Sequence, residues 1–111
     1  MSDSNTKKQF INALDIAIDA LQICEAIHMR TGAKKIPLDD VADEMGPSVT
    51  KKMIQDGFWI LVDMGIIADD NDEDHMNYSD DGNKELIELL EKIKIEELKD
   101  EEITISSRIY Q

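Results

Sequence analysis

The chain is short of cysteine, of long apolar runs and of positive charge. Cys24 is the only cysteine among 111 residues, and one thiol cannot close an internal disulfide. No stretch approaches the ~18 to 20 uninterrupted apolar residues that a membrane span needs. The opening segment MSDSNTKKQF is polar where a secretory signal is apolar, so the expected location is cytoplasmic. Twelve basic residues face twenty-five acidic ones, a formal net charge of -13. A chain so charged is repelled by nucleic-acid phosphates and anionic lipid unless its few bases are clustered. A nucleophile with its base and acid is missing, as is a glycine-rich phosphate loop. The expectation is a protein that is not an enzyme and needs no cofactor.

What is present suffices for one domain. Apolar residues make up 41% of the chain, enough for a core, and the length is too short for two domains. Residues 1–8 are polar and expected to be flexible. From Phe10 to Arg30 the pattern is helical: Phe10, Leu14, Ala17, Ile18 and Leu21 share one face. Ile16, Ala20, Ile23 and Ile27 form a second apolar row, leaving a narrow polar strip of Asn12, Asp15, Asp19 and Gln22. A helix so apolar around its circumference buries two sides. One side meets the core and the other a second subunit or the C-terminal helix; we expect a homodimer through the first and last helices, with Phe10, Ile16, Ala20, Ile23 and Ile27 at its interface.

Gly32 suits the left-handed position that closes a helix. Pro37 biases Ile36 toward extended geometry, so 34–37 reads as a connector. Leu38, Val41, Ala42 and Met45 give a short helix its inner face, with Asp39, Asp40, Asp43 and Glu44 outside. After the Gly46-Pro47 turn, Ser48 is placed to cap a third helix. Met53, Ile54, Phe58 and Leu61 face inward there. The adjacent Trp59 points about 100° away from Phe58, toward the edge of the domain. Ile66-Ile67-Ala68 reads as a strand, Asp69–His75 as a polar loop, and Met76-Asn77-Tyr78 as the returning strand. Asp80-Asp81-Gly82-Asn83 opens a final helix with Leu86, Ile87, Leu90 and Ile93 on its apolar face. Ile103, Ile105 and Ile109 share one parity, so 99–111 reads as a strand or as a disordered tail.

Three helices followed by two short strands and a helix give a mainly α fold with a small β-hairpin. Two segments carry a more specific likeness. Met64-Gly65-Ile66-Ile67 joins the third helix to a strand, and Gly65 permits the positive φ that such a junction needs. Tyr78-Ser79-Asp80-Asp81-Gly82-Asn83-Lys84-Glu85-Leu86 ends a strand on an aromatic and opens a helix. Ser79 can cap that helix, and Asp80, Asp81 and Glu85 suit its positive end. Over about 9–95, and in its core from Val49 to Glu85, the chain resembles winged helix-turn-helix regulators of the MarR and PadR type. The resemblance implies a winged-helix domain over 9–98, with an extended N-terminal helix and a C-terminal helix.

It also implies transcriptional regulation through sequence-specific DNA binding, the third helix entering the major groove. Ser48, Thr50, Lys51, Lys52 and Gln55 then form the reading edge, supported by Lys34 and Lys35. The wing departs from that pattern. Asp69, Asp70, Asp72, Glu73 and Asp74 would each be repelled by phosphate. The alternative is a domain that binds a basic protein partner through these carboxylates. Such a protein is an inhibitor or adaptor, in the manner of acidic phage-type DNA mimics that include some anti-CRISPR proteins.

Metal chemistry has little support. Asp70, Asp72 and Asp74 have the spacing that opens an EF-hand loop, but His75 stands where that loop needs glycine and Asp81 where it needs glutamate. Cys24 and His28 are four apart on a helix, yet no second pair of ligands accompanies them. No metal is expected.

Overall fold

A computed structural model describes the backbone of residues 2–69 and 72–110, and the side chains of 6–69 and 72–99. The elements in order are α1 (Ser2–Thr31), β1 (Lys35–Pro37), α2 (Leu38–Met45), α3 (Lys51–Asp63), β2 (His75–Asn77) and α4 (Asp80–Tyr110). The chain is thus mainly helical with one small antiparallel sheet. Among the described residues no helix is long and apolar enough to cross a membrane.

α1 is the central post, packed against α2, α3 and α4. Its expected core face is buried throughout: Phe10, Leu14, Ala17, Ile18 and Leu21. The second row, expected at a dimer interface, is largely covered as well. Phe10, Ala20 and Ile27 are buried inside the chain itself, with Ile16 and Ile23 packed against the same core. The chain's own α3 and α4 pack on α1, and of that row Ile16 and Ile23 stay partly exposed. Helix begins at Ser2, so the polar lead expected to be flexible joins α1. Gly32 closes α1 at φ 76°, its N–H donating to the His28 carbonyl at 2.7 Å.

The sheet is built from different partners than expected. Ile66 and Ile67 form a bend rather than a strand. It is the 34–37 connector that pairs with β2, matching Lys35 to Asn77, Ile36 to Met76 and Pro37 to His75. The reason is burial. Ile36 and Met76 both point into the core from the middle of the ladder. Gly65, at φ 76°, turns the chain so sharply that Ile66 donates back to Leu61. Ile66 and Ile67 then lie half-buried against the core without joining the sheet.

α3 is capped by Thr50 and not by Ser48, which sits exposed in the preceding turn. The Thr50 hydroxyl accepts from the Met53 N–H at 3.2 Å. Its buried stripe is Ile54, Gly57 and Leu61. Gly57 centres the stripe, and a Cβ there would stand 3.4 Å from Ile16, in van der Waals contact with α1. Met53, expected inside, is 40% exposed, since it lies one helical step off that stripe.

α4 begins as read, with the Ser79 hydroxyl accepting from the Gly82 N–H. It runs antiparallel to α1, tied by Lys94 to Asp15 and Lys7 to Glu97. The buried Asn83 amide donates to the Leu21 carbonyl at 3.1 Å. Leu90 is fully buried, with Leu86, Ile87 and Ile93 packed beside it. The helix continues through Tyr110, where the sequence reads as a strand or a disordered tail. Extending a helix adds one hydrogen bond per residue fixed, whereas a strand needs a sheet edge to join.

Candidate functional site

The two sets of residues that compete in the sequence, one basic and one acidic, lie against each other. Thr50 ends an extended segment and starts α3, so Lys51 and Gln55 stand one turn apart on the same side of the helix. The chain leaving α3 returns along that side as the acidic loop before entering β2. The Lys51 ammonium donates to Asp74 Oδ1 at 2.6 Å. Gln55 Nε2 donates to the Glu73 carbonyl at 2.5 Å. Lys35 Nζ lies 4.0 Å from Asp72 Oδ2. Lys34 and Lys52 are exposed, and the Thr50 hydroxyl is spent on the cap.

The loop carries its own order. Asp72 Oδ1 accepts from the backbone N–H groups of Asp74 and His75, each at 3.1 Å, and His75 Nδ1 lies 3.3 Å away. Desolvation raises the Asp72 carboxyl, but these bonds outweigh it and hold the group below the usual carboxylate range. The bond from Lys51 does the same for Asp74. The Asp74 carboxylate in turn pushes the Lys51 ammonium up, with Asp39 and Glu73 adding attraction. Asp69 is exposed beside this cluster, and Asp70 lies outside the described residues.

These bonds also bear on the metal question. Asp72 and Asp74, two of the three carboxylates at EF-hand spacing, already hold N–H donors and an ammonium. Cys24 is buried, and desolvation pushes its thiol up to about 11. The His28 ring stacks on Tyr78 at 4.0 Å, with Nδ1 2.8 Å from the Ala33 carbonyl. Among the described residues no group of three or more histidine, cysteine or acidic side chains is arranged to hold a metal ion.

One feature went unread in the sequence. Between α3, residues 66–69 and 72–77, and the start of α4 lies a groove of about 580 Å³. Trp59 stands on its wall, 41% exposed, at the domain edge where the divergence from Phe58 puts it. The signal was there in two neighbouring aromatics on one helix, since both cannot enter one core. No family model, curated protein or solved structure matches the chain.

Proposed function

We propose that this chain is an acidic winged-helix domain that binds a basic protein surface, with the 69–75 loop and the outer face of α2 as its contact. The carrying observation is the tie between loop and helix: Lys51, Gln55 and Lys35 are already engaged by Asp74, Glu73 and Asp72. DNA would have to displace three internal partners before meeting those side chains, and would meet carboxylates on approach. A basic protein also has to displace the ties at Asp72 and Asp74, but it is attracted on approach by a molecule whose net charge is -13. Asp39, Asp40, Asp43 and Glu44 stand exposed on α2 and extend the negative surface. Support for the winged-helix reading is the order of elements, with β1 returning beside β2 and α3 next to the loop that would be the wing. Fold alone does not fix function, so charge decides between the readings.

A salt series separates them. With duplex DNA, no saturable binding is expected even at low salt, and Lys51→Glu/Lys52→Glu leaves that result unchanged. With an arginine-rich protein such as protamine, binding is expected, weakening as salt rises. It is weakened further by neutralising Asp69, Asp70, Asp72, Glu73 and Asp74 to their amides. Salt-dependent DNA binding that Lys51→Glu/Lys52→Glu abolishes would overturn the proposal in favour of a DNA-reading regulator.

A further inference from the structure

The groove beside Trp59 belongs to neither the basic edge of α3 nor the outer face of α2. Its volume of about 580 Å³ falls among those of small-molecule pockets, roughly 300–1,000 Å³. Phe58, Trp59, Ile67, Leu86 and Leu89 give it an apolar wall. Leu89 is 42% exposed, so with Trp59 it leaves contiguous apolar surface in water, which is costly unless something covers it.

The rim has one sign. Asp69, Asp72, Glu73 and Glu85 line it, and no lysine or arginine does so among the described residues. We infer that this groove binds a hydrophobic organic cation of drug-like size. The apolar body of such a ligand covers the exposed wall, and its charge is attracted by the carboxylates at the rim. The Trp59 ring face adds cation–π attraction. An anion of the same shape gains the apolar contact and loses the rest, against a rim and a whole molecule that are both negative. This site does not depend on the basic-partner reading, since its occupant is small and its wall is apolar.

Trp59 is the only tryptophan, so tryptophan emission, excited selectively over that of the two tyrosines, reports on this groove alone. The probes are tetraphenylphosphonium and tetraphenylborate, nearly equal in shape and opposite in charge. Titrated into the intact chain, the phosphonium is expected to change Trp59 emission saturably, with a Kd at least about tenfold lower than the borate's. In Glu73→Gln/Glu85→Gln that ratio is expected to fall below about threefold. Both side chains are exposed, so the variant keeps its fold, which circular dichroism checks. Equal affinity for the two ions, no saturable response to the phosphonium, or an unchanged ratio in the variant would each overturn the inference.

Discussion

The two sides of α3 are held by different physics. One side buries Ile54, Gly57 and Leu61, removing apolar area from water at roughly 25 cal/mol per Å². The other meets the acidic loop through one ion pair, one amide bond and one longer charge contact. Those ties sit in solvent, where exchange with water cancels most of their worth and salt screens the rest. The inner side therefore decides whether the domain folds. The outer side decides what charge the folded domain shows.

The strongest test of that division is Leu61→Ala, expected to cost about 2–5 kcal/mol in urea unfolding. An equal loss in Asp74→Asn would break the comparison. Cys24 gives the same variant a second readout. Its buried thiol, held near 11 against an ordinary 9.0, keeps its proton at pH 8, so alkylation proceeds only through opened molecules. Alkylation in Leu61→Ala is expected to be at least about 30-fold faster than in the wild type. With the native pKa raised, the folded state holds the proton more tightly, so the stability this provides is full below pH 9 and lost as pH rises toward 11.

Gly57 sharpens the picture of the inner side. Gly57→Leu is expected to cost about 1–3 kcal/mol by forcing α1 and α3 apart. Gly57→Ala changes stability by no more than about 1 kcal/mol, because better helix propensity offsets a 3.4 Å contact with Ile16. A large loss in the alanine variant would mean that the helices tolerate no atom there.

The smallest effect belongs to the outer side. Asp74→Asn is expected to leave the unfolding midpoint where it was while changing the amide resonances of 72–75. The carboxyls of Asp72 and Asp74 sit below their ordinary range, so their ties are complete above about pH 4 and lost as pH falls through the depressed values. The Lys51 tie is complete below that ammonium's ordinary value and lost only as pH rises past the raised one. Between these limits the Lys51–Asp74 pair is expected to stay closed. Opening of that pair near neutral pH would show that another group sets it.

Much of this was legible in the sequence where a local rule sufficed. The core face of α1, the extent of α2, the turn at Gly32 and the Ser79 cap all follow from spacing and from single residues with one conformational role. What failed needed non-local information. Periodicity marks the second apolar row of α1 but cannot say how much of it the chain's own α3 and α4 cover. The strand at Ile66–Ala68 was read from its neighbours, while Ile36 found Met76 from far along the chain. The candidate bases and carboxylates were named as rivals because their charges conflict on paper. Opposite charge is also why the structure brings them together.

The pairing of Ile36 with Met76 says something about time as well as shape. Two three-residue strands close a loop of about 40 residues, at a chain-entropy cost of about 3 kcal/mol, and so short a ladder is not stable in isolation. Its ends must already be near one another when it forms, and only the packing of α1 on α2 and α3 can put them there. Strand pairing is accordingly a late event in folding and an early one to be undone. The loop that leads into β2 is anchored by that ladder, so the acidic side chains of 72–74 hold their places only while the strands are paired.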